Sequence, residues 1–391
     1  MTLNSIVIIG TGLAGYNLAK ETRKINPTVP LVLITQDEGH FYSKPMLSTA
    51  LSQGKTPQNL IITPVDTMRA QLNATIYTQT SVQHIDTALQ QIFLQTPVGP
   101  ETLTFSQLVL ALGAIPRPLP LLADIHHYRI NNLADYTTFM RNFEDKMPLT
   151  ILGSGLVGCE FAHDFAESET PLHIITPDAY PLSAFAPPPV GEAIQQALSM
   201  RGVQWHTQTV LSNAIMHKEN LALELSNGVQ LNTKTLLSAI GLQANVSLAQ
   251  KASLAVNSGI VVDRFLQTSH PHIYALGDCA EINGKCLQFV APLLQSARCL
   301  AQTLCGKPTA LTLPLAPIVL KLSSLPVILF PPSIHIEGQW HFEKEGLNIK
   351  GLFYDHQDVL RGYALTGTQT AARQECLQAI SKALENCATA H

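Results

Sequence analysis

Ile6-Val7-Ile8-Ile9-Gly10-Thr11-Gly12-Leu13-Ala14-Gly15 is the stretch that decides how this chain folds. Four β-branched apolar residues in a row read as a strand buried on both faces. Gly10 permits a tight turn, Gly12 lets the backbone approach a pyrophosphate, and Gly15 lets the next helix pack against the strand. That helix is predicted over Asn17–Lys24, with the free N–H groups of its N-terminus facing phosphates. A second strand at Leu31–Ile34 completes a βαβ unit of the expected size. The acidic residue that would end this strand and grip a ribose is replaced by Thr35; Asp37 and Glu38 lie two and three residues later and could substitute.

The pattern recurs further along the chain. Leu149–Leu152 is followed by Gly153-Ser154-Gly155-Leu156-Val157-Gly158, a helix predicted over Cys159–Ala166 and a strand at Leu172–Ile175. Two complete fingerprints mean two bound nucleotides or one duplicated and decayed site, and the intact glycines of both copies favour two. The second strand ends Thr176-Pro177-Asp178, with no Arg or Lys to meet a 2′-phosphate, so NADH is expected over NADPH.

At 391 residues the chain is expected to form two or three domains. Apolar residues make up 46% and charged residues 13%, as in proteins with large buried sheets. A net charge of −4 argues against a nucleic-acid partner. No apolar run approaches the ~18 residues needed to span a bilayer, and Ile6–Ile9 runs straight into Gly10, unlike a leader. A cytoplasmic monomer or weak dimer with no membrane insertion is expected. Seven cysteines without any C-x-x-C, the closest being Cys299 and Cys305, give neither a disulfide framework nor a metal site.

Three more signatures lie between and after the fingerprints: Leu108 through Gly113-Ala114, Ala239-Ile240-Gly241 through Asn245, and Thr268 followed by Ile273-Tyr-Ala-Leu-Gly277-Asp278 through Glu281. Their order resembles the glutathione-reductase-like flavoprotein superfamily, over essentially the whole chain. The resemblance implies an α/β fold with two Rossmann-like dinucleotide-binding domains, an FAD domain at 1–112 and 242–313 and an inserted NADH domain at 113–241. A small α+β C-terminal domain at 314–391 follows. Disulfide reductases of that superfamily carry a cysteine pair soon after the first βαβ unit, yet residues 36–60 hold no cysteine. Phe41-Tyr42-Ser43-Lys44-Pro45-Met46-Leu47-Ser48 stands there instead and resembles the Y-x-(K/R)-P-x-L-S segment of reductases that feed one-electron carriers. Residues 10–17, 42–48 and 237–242 are most similar to the rubredoxin reductase family. That implies electron flow from NADH through FAD to rubredoxin or a similar small iron protein. Flavorubredoxin reductases and dioxygenase ferredoxin reductases are the neighbouring readings.

The same resemblance implies roles for single residues. For FAD it points to Gly10, Gly12, Leu13, Ala14, Gly15, Val82, Ala111 and Gly113, with Asp278 on a ribitol hydroxyl. Lys44 and Pro45 would lie beside the flavin N5, and Glu160, placed on the first turn of the second helix, would pair with Lys44 as its catalytic partner. A helix starting near Val290 would direct its positive end to the flavin. Lys321, inside a strand predicted over Ile318–Leu322, would approach from the C-terminal domain. For NADH it points to Gly153, Gly155, Leu156, Val157, Gly158, Thr176 and Gly241. The Ala186-Pro-Pro-Pro189 run reads as a rigid loop.

Overall fold

The computed structural model describes residues 5–168 and 170–389. The chain forms two compact units, which it enters alternately: 1–46, 56–117 and 242–314 make the first, and 47–55, 118–241 and 315–391 the second.

The first unit is built on a parallel five-stranded sheet in the order Ile273–Ala275, Gln107–Leu110, Ile6–Ile9, Leu31–Ile34, Thr75–Tyr77. Ile6–Ile9 lies at its centre, in register with Leu31–Ile34 on one side and Gln107–Leu110 on the other. Each of its four side chains is at most 7% exposed, worth about 1.5–3 kcal/mol apiece. A continuous apolar run is what a strand buried on both faces requires. An antiparallel meander of Ser81–Asp86, Gln91–Thr96 and Gly99–Thr104 separates the third strand from the fourth. Val82 sits beside a register shift in this meander.

The second unit contains a smaller version of the same plan. Its parallel sheet runs Val203–His206, Leu172–Ile175, Leu149–Leu152, Thr235–Ser238, and Leu211–His217, Asn220–Leu225 and Gln230–Thr233 form the corresponding meander. Residues from 315 onward add an antiparallel five-stranded sheet, ordered Ile318–Leu320, Val327–Phe330, Leu360–Thr366, Asn348–Asp355, Gly338–Glu345. Helix Arg373–Thr389 covers it through Cys376 and Ile380 against Tyr363 and Leu365.

Several local expectations need correction. Both fingerprint helices start earlier than predicted, at Leu13 and Leu156, because Gly12 and Gly155 are the extended N-caps (φ −69°, ψ −169° and φ −72°, ψ −173°). Gly15 and Gly158 therefore lie inside the first turn, and Glu160 lies beyond it; no acidic residue occupies that turn. The proline run opens helix Pro188–Ser199 instead of forming a loop, since a proline in the first turn lacks only an N–H that would have no partner there. The strand predicted to Leu322 ends at Leu320, leaving Lys321 just outside it.

Candidate functional site

The two glycine turns are close copies. Gly10 has φ +115° and Gly153 φ +99°, a region open to glycine at no steric cost. A Cβ on Gly10 would lie 2.2 Å from the Ala111 carbonyl oxygen, and one on Gly153 2.6 Å from that of Ala239. On Gly15 and Gly158 it would fall 1.9 and 2.1 Å from the carbonyl oxygens of Gly10 and Gly153. Gly12 and Gly155 differ: a Cβ on either meets nothing within 4 Å. In each unit the backbone is packed tightly on two sides and open on the third, beside the unpaired N–H groups of a helix start. That shape and polarity fit a pyrophosphate.

Beyond each second strand the copies agree again. Thr35 Oγ1 donates to Asp37 Oδ1 at 2.7 Å, and that oxygen also accepts from Gly39 N at 2.8 Å. Thr176, fully buried, shares a hydrogen bond with Ser154 Oγ at 2.8 Å and donates to Asp178 Oδ2 at 3.3 Å. The acid missing at the strand end is thus set two residues later and oriented by threonine. Glu38, the other candidate, is exposed and lies 3.5 Å from His40 Nε2.

Asp278 follows the fifth strand of the first unit, in a 3-10 turn begun by Gly277 at φ +78°. Burial pushes its pKa up, and the positive charge of Lys44 works against that. Its carboxylate holds no hydrogen bond to another described residue, which leaves it able to accept one from a ligand hydroxyl. The structure brings Lys44 and Asp278 into one electrostatic neighbourhood. Lys44 opens the 3-10 helix Lys44–Thr49, with Pro45 next to it. Gly113 and Gly241 both have positive φ, +67° and +102°, and helix Val290–Leu304 begins at the expected residue after extended Phe289.

In the second unit Glu160 is 6% exposed. Its Oε2 accepts from Ser48 Oγ at 2.5 Å and from Lys321 Nζ at 3.4 Å, and its Oε1 from the Lys321 backbone N–H at 3.2 Å. Glu160 and Lys321 are therefore joined directly. Three residues of this network were not expected from sequence: Ser48, His163 and Asp164. The last two lie three and four positions after Glu160, and that spacing on one helix face was the available signal. Cys159 and Cys279, both fully buried, have thiol pKa values raised by burial, that of Cys279 to about 12. Neither suits thiolate chemistry.

Residues 4–299 match the family described as pyridine nucleotide-disulphide oxidoreductase. The chain belongs to that family. Residues 310–380 match a rubredoxin binding C-terminal domain. The chain is 42% identical to the rubredoxin-NAD(+) reductase of Alcanivorax borkumensis, over 93% of this chain and 95% of that protein. It is 37% identical to the rubredoxin-NAD(+) reductase of Acinetobacter baylyi, over 95% and 96%. Among solved structures, the covalent putidaredoxin reductase–putidaredoxin complex superposes with a TM-score of 0.87 at 24% identity, over 97% and 93% of the two chains, a likeness of fold. The family member described here is an NADH-dependent, FAD-carrying oxidoreductase. No helix among the described residues is long and apolar enough to cross a membrane.

Proposed function

We propose that the chain passes electrons from NADH through FAD to rubredoxin. The observation that carries the acceptor is the match of residues 310–380 to a rubredoxin binding domain, supported by near-full-length relatives of that activity. The absence of cysteine from residues 36–60, with Cys159 and Cys279 buried as inert thiols, speaks against disulfide reduction.

FAD, when bound, accepts a hydride and releases electrons singly. In the first unit Gly10, Gly12, Leu13, Ala14 and Gly15 cradle its pyrophosphate, while Val82, Ala111 and Gly113 line the nucleotide path. Asp278 accepts from a ribitol hydroxyl, and the helix start at Val290 offers N–H groups to negative charge on the ring. Lys44, stiffened by Pro45, supplies a fixed positive charge to the isoalloxazine. In the second unit Gly153, Gly155, Leu156, Val157 and Gly158 hold the NADH pyrophosphate, with Thr176 and Gly241 bounding the ribose and nicotinamide ends. Asp178, aligned by Thr176, repels a 2′-phosphate. Glu160 keeps Lys321 in place and provides a buried negative charge.

The test is anaerobic reduction of the bound flavin by NADH, followed by oxidation with rubredoxin, a dioxygenase ferredoxin or oxygen. Rubredoxin should be fastest by at least tenfold. Faster oxidation by the ferredoxin would replace this acceptor. Lys285 and Arg298 are exposed cations of the first unit; their replacement by Glu should raise KM for an acidic carrier and leave reduction by NADH unchanged.

A further inference from the structure

Helix Leu156–Phe165 carries more than Glu160 on its buried face. Asp164 has no exposed surface, and its two oxygens accept from two consecutive backbone N–H groups, Oδ2 from Leu51 at 3.0 Å and Oδ1 from Ser52 at 2.8 Å. One turn earlier Glu160 takes the Ser48 hydroxyl. Between them His163 Nε2 lies 3.2 Å from Ser323 Oγ and accepts from Ser324 N at 3.3 Å.

A buried carboxylate is a costly way to satisfy a loop amide. An Asn of the same size offers a single acceptor oxygen that the two adjacent N–H groups would have to share, whereas the carboxylate gives each N–H its own oxygen. Burial pushes the Asp164 pKa up, and the hydrogen bonds from Ser52 and Leu51 draw it back. The spacing on the two sides matches: acids four residues apart grip positions 48 and 51–52 of one short segment. A segment held at two points can neither slide nor rotate about one of them. Ser48 belongs to the 3-10 helix that Lys44 opens, so the backbone of Lys44 is tied to these anchors through one short element.

We propose that Asp164 is a positioning residue for the electron-transfer site: it fixes the segment 47–55 and, through the 3-10 helix Lys44–Thr49, the lysine at its head. This inference rests on the role given to Lys44 above.

The test compares Asp164→Asn, Ser52→Pro and Lys44→Met, each with FAD bound and each scored per bound flavin. Asp164→Asn keeps the volume and removes one acceptor; Ser52→Pro removes the Ser52 N–H and hydroxyl, both donors to the carboxylate, with Asp164 intact. Both should slow flavin reduction by NADH at least tenfold, with the Kd for NADH changed less than threefold. The Asp164→Asn/Ser48→Ala double variant should lose less than the product of the single losses, because both act on one segment. A purely structural role would lower the melting temperature and leave the rate per flavin within twofold of the parent in both variants, and that result overturns the proposal. If Lys44→Met reduces normally, the role of Lys44 falls and this inference falls with it. If Lys44→Met is slow while Asp164→Asn and Ser52→Pro are not, only the present inference is lost.

Discussion

The two βαβ units share a backbone and differ in what their first helices bury. The agreement extends past the glycines. Thr35 and Thr176 donate their N–H groups to Tyr77 and His206, and accept from Thr80 and Thr209. Gln79 and Gln208 both take positive φ, +48° and +52°, and donate to Asp37 and Asp178. Helix Leu13–Ile25 nonetheless buries Ala14, Gly15, Tyr16, Leu18, Ala19 and Thr22, with no acid or base. Helix Leu156–Phe165 buries Glu160, His163 and Asp164. Asn17, two residues after Gly15 as Glu160 is after Gly158, turns back to the Leu13 carbonyl at 2.7 Å. One scaffold can thus be neutral packing in one place and a frame of charged anchors in another. The glycine geometry selects the ligand class, and the helix face behind it selects what else is held.

The harshest way to break the comparison is to fill the tight glycines in turn. Gly15→Val and Gly158→Val each press a side chain into a carbonyl that cannot move aside, costing at least ~1–3 kcal/mol of local overpacking. Gly15→Val should give protein without flavin colour. Gly158→Val should stay yellow and lose reduction by NADH. Absorbance after desalting and stopped-flow reduction read the two outcomes; the opposite pattern would exchange the cofactors between the units.

A smaller effect is expected at Asp278, which has no counterpart among the acids of the second helix. Asp278→Ala should weaken FAD binding by ~1–3 kcal/mol, the usual worth of a hydrogen bond to a charged group. Equal FAD retention on gel filtration would remove Asp278 from the site.

The paired threonine–aspartate turns can be separated by charge alone. Asp178→Asn keeps an acceptor for Thr176 and removes the negative charge, so the NADPH-to-NADH ratio of kcat/KM should rise about fivefold, ~1 kcal/mol at partly solvated distances. Asp37→Asn should leave that ratio unchanged. A matching rise in both variants would mean that the two turns do not discriminate between nucleotides.

The mildest difference is one of pH. Val32 and Tyr77 of the first sheet correspond to His173 and His206 of the second, whose ring nitrogens lie 3.1 Å apart. Burial holds both histidines below their usual pKa of 6.5, and His173 is further lowered by His206. The unfolded chain therefore binds more protons than the folded chain as pH falls through about 6.5. Stability from this pair is present above that pH and is lost below it. The melting temperature should drop by a few degrees between neutral and mildly acid pH, and His173→Val should flatten that slope. An unchanged slope would place the acid sensitivity elsewhere.

Much of this protein is decided by short stretches of its sequence. The strands Ile6–Ile9 and Leu31–Ile34 begin and end where their apolar runs do, Leu149–Leu152 and Leu172–Ile175 are bounded by apolar residues with Thr150 and His173 inside, and the glycine turns follow from the sterics of a few neighbouring atoms. Those are local properties, so reading them needs no knowledge of the rest of the chain. Helix starts were less legible: whether a glycine is a cap or the first helical residue depends on its φ and ψ, which composition does not state. The network around Glu160 was decided by tertiary structure alone. Periodicity places residues 160, 163 and 164 on one face, but their partners at Ser48, Leu51, Ser52, Lys321 and Ser324 are more than a hundred residues away along the chain. Which polar groups meet a buried acid depends on how distant segments pack, and no local pattern encodes that.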